Sequence, residues 1–357
     1  MRKLSFVLFV FFGGLCFTPD ASGQFNRRSI KKNNKRIATF VGKKHFGKEH
    51  VYSGVGFSIN ALNYYGDLSP LPSKFSTDIS YTKPGIGISL FHRFGPRYTL
   101  VGQFMYGTLK GSDAESAKKS SSEGDTFNFR EVRNLSFRNR IKELSLTAYF
   151  DLFENEGTYI SRVKWTPYAY IGIAVFLHNP QAQEPQKFLD GTVNPNAGKW
   201  VDLQPLGTEG QQSNTSTLLP TDVNYGIKSY SSFQAAIPFG AGARFRLNEV
   251  FDLWADIGFR YTFTDYLDDV SKNYVDVTRF KDPLAQAMSY RSNEITNPGL
   301  ATTPVTINGQ TINVINGYGT EYPTNNRGGK KSNDLYMVTS LKITYILGAT
   351  FHRAKFR

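Results

Sequence analysis

Eight segments of the chain alternate between apolar and polar residues with a period of two, which is the pattern of β-strands with one apolar and one polar face. In the clearest segment, 251–263, the odd positions carry no charge and the even positions include Asp252, Asp256 and Arg260. The eight segments are 51–62, 84–94, 98–109, 143–151, 165–177, 233–247, 251–263 and 335–347. The 20 Tyr, 29 Phe and 32 Gly of the chain also favour strands and turns over helices.

The connections between these segments alternate in length. The short ones are 95–97, 153–164 and 248–249, and the long ones are 63–83, 110–136, 178–232 and 264–332. Short turns that alternate with long loops are typical of outer-membrane barrels, whose turns are periplasmic and whose loops face outward. The sequence therefore predicts an all-β fold, an eight-stranded antiparallel up-and-down transmembrane β-barrel with long, structureless outer loops and both chain ends in the periplasm.

The glycine pattern distinguishes the predicted transmembrane barrel from a soluble barrel or sandwich, which would show the same alternation. The polar faces carry Gly at positions 54, 56, 85, 87, 172, 240, 242 and 258. Glycine weakens a solvent-exposed strand face, whereas the narrow interior of an eight-stranded barrel needs small residues. The polar face is therefore predicted to line the lumen, where charges of both signs pair. This predicted lumen network contains Arg93, Glu143, Asp151, Arg244, Arg246, Asp252, Asp256, Arg260 and Lys342.

The first residues have the features of an export signal. Arg2 and Lys3 precede an apolar stretch at 4–17, and Ala21 and Gly23 are small residues before a cleavage point at Gln24. Cleavage there removes Cys16, the single cysteine of the chain, so a disulfide scaffold is excluded. The predicted organisation is a signal peptide at 1–23, a basic periplasmic arm at 24–50, the barrel at 51–347 and a periplasmic tail at 348–357.

The arm holds much of the positive charge of a chain whose formal net charge is +13. Its basic residues are Arg27, Arg28, Lys31, Lys32, Lys35, Arg36, Lys43, Lys44 and Lys48, and Glu49 is its one acidic residue. Nucleic acid is not expected as a partner of an exported protein. Before the first strand, this arm is expected either to be solvated or to bind an acidic protein partner or the membrane surface.

Candidate chemistry is sparse. His92 lies in a strand with Ser89 on the opposite face, so the two side chains are not expected to meet as a catalytic pair. The acidic run at 265–269 lacks the spacing and the Gly of a calcium loop, which favours a solvated loop start over a metal site. We therefore expect no catalytic residues, no metal and no cofactor.

Several strings resemble PorG-like outer-membrane proteins. Residues 57–68 are similar to the first strand and first loop of that family, and 81–94 to its second strand. Residues 263–274 resemble a late loop of the family, and 333–336 the start of its last strand. The motif residues in these loops are Tyr65, Gly66, Asp67, Asp265, Tyr266, Asp268 and Asp269.

The resemblance implies an eight-stranded outer-membrane barrel that takes part in type IX secretion and gliding motility. The implied partners are outer-membrane lipid and the periplasmic ring or lipoprotein subunits of the secretion complex. The long third and fourth loops and the basic arm depart from the shortest family members. A non-enzymatic anchor or scaffold is the expected function, and the alternatives are a lipid-modifying barrel enzyme or a surface binding or adhesion barrel.

Overall fold

The computed structural model describes residues 46, 50–69, 81–115, 129–295, 302–315, 326–329 and 332–347. The strands in these ranges are β1 Tyr52–Tyr65, β2 Lys83–Arg93, β3 Tyr98–Ser112, β4 Ser136–Asp151, β5 Trp165–Leu177, β6 Pro180–Gln183, β7 Trp200–Asp202, β8 Phe233–Arg246, β9 Phe251–Thr262, β10 Thr302–Ile307, β11 Gln310–Ile315 and β12 Leu335–Leu347. The α-helices are α1 Phe129–Arg133, α2 Leu203–Leu206 and α3 Pro283–Ser289. No helix among the described residues is long and apolar enough to cross a membrane.

Eight of these strands close into an antiparallel barrel. Their order around the barrel is β1, β2, β3, β4, β5, β8, β9 and β12, so each strand pairs with its neighbours in the chain. Pairing of β12 with β1, from Ser53 opposite Leu347 to Tyr65 opposite Leu335, closes the circle. The predicted closed, eight-stranded, up-and-down antiparallel barrel is confirmed. We call its two ends the short-turn end and the long-loop end, according to their connections.

The strands β3 and β4 are longer than the sequence pattern indicated. Their pairing continues to Ser112 opposite Ser136, so β4 begins seven residues before the predicted segment at 143–151. The short strand β6 pairs with the start of β4, and β7 pairs with β6. The barrel wall is therefore extended at the long-loop end on the side of β3 and β4.

The two faces of the barrel differ sharply in chemistry. Apolar side chains cover the outer face, and Ile88 and Ile173 are 61% and 68% exposed. On the inner face, charged side chains such as Arg93, Asp151 and Lys342 are buried. Inner glycines make room for the large side chains, since a Cβ at Gly258 would overlap the hydroxyl of Tyr170. This arrangement matches the predicted assignment of the polar face to the lumen.

The described parts of the long loops are folded, so the prediction of structureless loops is wrong. The strands β6, β7, β10 and β11 and the helices α2 and α3 belong to the third and fourth loops. Asp282 caps α3 by accepting a hydrogen bond from the Leu284 amide, and Pro283 occupies the first helical position. On α3, Ala285 and Met288 contact one buried apolar cluster and Ala287 contacts another. These two clusters give the long-loop end an apolar core of its own. We call the described parts of the four long loops at this end the cap.

The chain divides into a unit at Met1–His45 and a unit at Phe46–Arg357, and the barrel and cap belong to the second. The signal peptide at 1–23, most of the basic arm and the tail at 348–357 lie outside the described residues.

Candidate functional site: a charged lumen beneath a closed cap

The lumen near the short-turn end is filled by buried ion pairs. Asp151 on β4 lies 2.6 Å from Arg93 of β2 and 3.2 Å from Arg244 of β8. Asp252 on β9 lies 2.6 Å from Arg162, which reaches in from the turn at 152–164. Because each carboxylate is buried together with a guanidinium, the cost of removing these charges from water is offset by direct pairing.

The middle of the lumen combines charges with aromatic rings. Glu143 lies 3.5 Å from the Arg260 Nε and accepts a hydrogen bond from the Tyr336 hydroxyl at 2.5 Å. Asp256 accepts hydrogen bonds from the hydroxyl groups of Tyr168, at 3.0 Å, and Tyr170, at 3.3 Å.

The indole of Trp254 lies in the lumen and is almost fully buried. The Lys342 ammonium lies 5.5 Å from the centre of that ring and the Arg244 guanidinium 4.0 Å from it, both within cation–π range. Side chains of this size and polarity pack this part of the interior, as expected for the narrow lumen of an eight-stranded barrel.

The structure places eight of the nine predicted network residues inside the barrel with buried side chains. The exception is Arg246, which is half-buried at the short-turn end and donates a hydrogen bond to the Arg162 carbonyl. The sequence analysis missed Arg162 itself, since an arginine in an irregular turn carries no periodic signal.

The motif acids of the fourth loop lie inside the cap. Asp268 and Asp269 are fully buried, and Asp268 lies 2.7 Å from the hydroxyl of Tyr64, at the end of β1. The same hydroxyl lies 2.6 Å from Asp334, which precedes β12 and also accepts a hydrogen bond from the Leu267 amide. The expectation of a solvated acidic loop start is therefore wrong, because the first and fourth loops converge on these carboxyl groups.

A second cluster joins the third loop to the fourth. The Asp269 carboxylate accepts hydrogen bonds from the hydroxyl groups of Thr208 and Tyr230, and Arg327 lies 3.9 Å from it. Glu209 accepts hydrogen bonds from the Ser271 and Lys272 amides at 2.8 and 2.9 Å. Tyr266 of the motif donates to the other oxygen of Glu209 at 3.2 Å.

The remaining motif residues connect the first two loops. Asp67 accepts a hydrogen bond from the Gly329 amide, while Arg133 donates to the Asp67 carbonyl and pairs with Asp113 at 2.7 Å. Gly66 lies against Tyr64 and Asp334, so closely that a Cβ would overlap both side chains. Tyr65 is buried, with its hydroxyl 3.8 Å from the Met337 sulfur. The motif thus ties all four long loops together.

Burial changes the acidity of these groups. Loss of water raises the pKa of Asp265 to about 8 and that of Asp269 to about 6, against an ordinary value near 4. The same cause raises the pKa of Asp268, Asp334 and Glu209. Across the described residues, no group of three or more His, Cys, Asp or Glu side chains is arranged to hold a metal ion. The buried carboxyl groups therefore fit a structural role, in which they hold the long loops together.

His92 and His178 have different environments. His92 is exposed on the outer face at the short-turn end, where its Nδ1 lies 2.8 Å from the Ser53 hydroxyl, and Ser89 is buried on the inner face. His178 follows β5, is buried beside the Tyr230 ring, and has its pKa lowered to about 4 by burial. The predicted partner-binding residues of the basic arm, from Arg27 to Lys44, lie outside the described residues.

Comparison with known proteins gives one family match. Residues 38–190, less than half of the chain, match a family described as a domain of unknown function, DUF6089. No curated protein matches the chain.

Three solved structures are similar to this chain at low sequence identity. A major outer membrane protein from Thermus thermophilus is 11% identical, with 82% of this chain and 98% of that chain covered and a TM-score of 0.35. The attachment invasion locus protein Ail of Yersinia pestis, in complex with the heparin analogue sucrose octasulfate, is 7% identical over 83% and 99%, with a TM-score of 0.31. The N-terminal β-barrel domain of Pseudomonas aeruginosa OprF is 11% identical over 82% and 96%, with a TM-score of 0.28.

Proposed function

We propose that the protein is an integral protein of the outer membrane. The observation that carries this proposal is the inverted distribution of side chains, with apolar residues exposed around the outer face and ion pairs buried in the lumen. In water, such a barrel would expose an apolar surface far larger than soluble monomers tolerate. The chain is expected to stay with the outer-membrane fraction after carbonate extraction and to change its electrophoretic mobility on heating. Release into the soluble fraction would contradict the proposal.

The orientation has its own test. The cap is expected to face the cell surface and the short turns to face the periplasm. Val223 in the third loop and Glu156 in the turn at 152–164 are both exposed, and after signal cleavage the predicted chain lacks cysteine. In intact cells, a membrane-impermeable maleimide should label Val223→Cys, and should label Glu156→Cys only after the outer membrane is opened. The reverse pattern would invert the topology.

We further propose that the barrel is a non-enzymatic anchor or scaffold of a type IX secretion or gliding complex. Support comes from the resemblance of residues 57–68 and 263–274 to PorG-like proteins and from a lumen that is packed instead of open. A lipid-modifying enzyme has weaker support. His92 and Ser53 meet at the short-turn end, and the carboxylates described around the lumen and cap have other partners.

Affinity capture tests the scaffold. From detergent-solubilised membranes, the tagged full-length chain is expected to capture periplasmic ring or lipoprotein subunits. Deletion of 26–50 should leave the heat-dependent mobility shift unchanged and weaken capture. A second variant that changes the basic residues of the arm to Gln tests whether charge is responsible. Equal capture by all three chains would eliminate the arm as the partner site, and capture of no such subunit by the wild-type chain would overturn the scaffold.

Surface binding through the cap is the second candidate function. Three apolar side chains of the third loop, Val193, Val223 and Tyr225, are well exposed, and Val223 is 75% exposed. Apolar side chains that project from a folded surface are common at protein contacts. If surface binding is the function, Val223→Ser combined with Tyr225→Ser should abolish binding of whole cells to their target surface and leave affinity capture unchanged.

A further inference from the structure

A row of basic side chains lies on the extension of β3 and β4 toward the long-loop end, beyond the apolar outer face. The strands β3 and β4 continue as a pair beyond that face, with Lys110 opposite Arg138 and Thr108 opposite Arg140. Alternate residues of a strand share a face, so Arg138, Arg140 and Lys142 of β4 all point away from the lumen. Their inward neighbours Asn139, Ile141 and Glu143 are fully buried, which confirms the alternation.

Arg138 and Lys110, which lie farthest from the apolar face, have partners within the protein. Arg138 donates a hydrogen bond to Gln181 of β6 at 2.9 Å, and its guanidinium lies 3.6 Å from the centre of the Trp200 ring. Lys110 pairs with Glu115 at 2.7 Å. Arg140 and Lys142 are exposed, and the ion pairs found among the described residues do not include them. The Cα atoms of these two residues are about 6.6 Å apart along the strand.

Directly below Lys142, the outer surface becomes apolar. Leu144 is 59% exposed on the same face of β4, and its neighbour on β3 is Phe104, which is also exposed. Lys142 itself is paired in register with Tyr106 of β3 and Leu177 of β5. Aromatic residues such as Tyr106 favour the boundary between hydrocarbon and headgroups. Arg140 and Lys142 therefore lie at the height of lipid headgroups if the apolar face is in the membrane.

We propose that Arg140 and Lys142 bind the phosphate of a membrane lipid at the long-loop end of the barrel, with acyl chains of the same lipid against Leu144 and Phe104. Two cations on one strand face provide positive charge and N–H groups that donate hydrogen bonds to phosphate oxygens. A guanidinium group can donate two parallel hydrogen bonds to a phosphate. The occupant is a lipid because the cations continue directly into exposed apolar side chains, and a free phosphate ion would use only the upper half of this surface. The inference rests on the proposed membrane location.

The test measures lipid retention by the full-length protein. Native mass spectrometry in detergent compares lipid A that carries two phosphates with lipid A that carries one. The doubly substituted variant Arg140→Ala/Lys142→Ala is compared with Lys187→Ala/Lys228→Ala, which removes the same charge from exposed positions of the third loop. The first variant is expected to lose about thirtyfold in apparent affinity for the bisphosphorylated lipid, and the second less than about twofold. The wild-type preference for two phosphates should also weaken as salt concentration rises.

Three outcomes would overturn the proposal. Unchanged affinity of Arg140→Ala/Lys142→Ala would show that these cations do not bind the lipid. Equal losses in the two double variants would show that total charge, and not this site, is responsible. Displacement of the lipid by millimolar inorganic phosphate would show a site for the free ion. The membrane location is judged separately by carbonate extraction, which needs no bound lipid. A wrong membrane location would therefore be distinguished from a wrong lipid site.

Discussion

At the scale of single residues, the Tyr64 hydroxyl lies between two carboxyl groups but has one proton to donate. Asp268 accepts N–H groups at both oxygens, from Leu68 at 3.2 Å and from Val270 at 3.0 Å, so its ionised form is satisfied. Asp334 accepts the Leu267 amide at one oxygen, and its other oxygen faces Tyr64. The geometry is completed if Asp334 holds a proton, donates it to Tyr64, and Tyr64 donates to Asp268.

This assignment predicts opposite results for two similar substitutions. In Asp334→Asn, the amide NH₂ can donate to Tyr64 while the amide oxygen keeps the Leu267 N–H, so stability should change by less than about 1 kcal/mol. In Asp268→Asn, the NH₂ group would face an N–H donor, with an expected loss of about 1–3 kcal/mol. Urea unfolding of the protein in detergent measures both. Equal losses would show that the proton is not held by Asp334.

The buried acids also predict a pH dependence of the cap. Asp265 titrates near pH 8 in the folded cap but near 4 when unfolded, so the folded state holds a proton that the unfolded chain releases. The contribution of Asp265 to stability is therefore greatest at low pH and falls as pH rises from about 4 to about 8. His178, whose pKa burial lowers to about 4, acts in the opposite sense over the lower part of this range, and the larger shift of Asp265 decides the sign. Fluorescence-detected melting of the cap should occur at a lower temperature at pH 8 than at pH 5.

Two variants test whether Asp265 causes that difference in melting temperature. Asp265→Asn should make it smaller, because an amide does not titrate. Asp190 is a partly exposed acid of the third loop whose pKa is lowered by hydrogen bonds from Thr192, so its titration lies below this pH window. Asp190→Asn should therefore leave the difference unchanged. A melting temperature that rises from pH 5 to pH 8 would contradict the sign of the effect.

At the scale of elements, Arg162 connects the turn at 152–164 to β9. Its guanidinium pairs with Asp252 and donates to the carbonyls of Asn248, Glu249 and Phe251, so one side chain holds two short turns together. Arg162→Ala leaves the Asp252 carboxylate buried without its cation, and the expected loss of unfolding free energy is about 3–5 kcal/mol.

Arg97 provides the matched control, since it pairs with Glu154 at the same end of the barrel but both side chains are substantially exposed. Arg97→Ala should cost about 1 kcal/mol or less, because water screens an exposed pair. Urea unfolding in detergent compares the two variants. A similar small cost for Arg162→Ala would show that the Asp252 pair contributes nothing beyond a surface ion pair.

The elements that could be predicted from the sequence are those whose pattern is local. Each barrel strand has a period of two that is imposed by its own two environments, so β8 and β9 were predicted almost to the residue. The strands β6 and β7 are too short to show a period. They form because β4 extends to pair with β6, which in turn pairs with β7. The cap helix α3 is stabilised by apolar residues from distant loop segments.

The same distinction applies to the candidate site. Lumen charges such as Glu143 could be placed because alternation fixes the face on which a strand residue lies. The environment of Asp268 could not, because its burial depends on Leu68, Val270 and Tyr64, and only the folded chain brings the first loop to the fourth. Chain segments separated by 200 residues meet there, and no local pattern reports such a contact.

At the scale of the whole molecule, the barrel is closed in two independent ways. Trp254 and the ion pairs of Asp151 and Asp252 fill the lumen toward the short-turn end. At the other end, hydrogen bonds of Asp268, Asp269 and Glu209 join the first, third and fourth long loops. Arg133 joins the second loop to the first. In the membrane location that we propose, the two ends would face opposite sides, which fits the proposed anchor better than a channel.

This double closure predicts that the reconstituted protein does not conduct ions. In planar bilayers the wild-type chain should give a conductance equal to that of lipid alone, with incorporation checked by flotation of matching liposomes. Trp254→Ala removes the largest side chain from the lumen but leaves the cap in place, so it should remain closed, although a core cavity will lower its stability by about 3–5 kcal/mol. Stable conductance steps in the wild-type chain would contradict the filled lumen, and steps in Trp254→Ala alone would show that the lumen is plugged but that the cap does not seal the barrel.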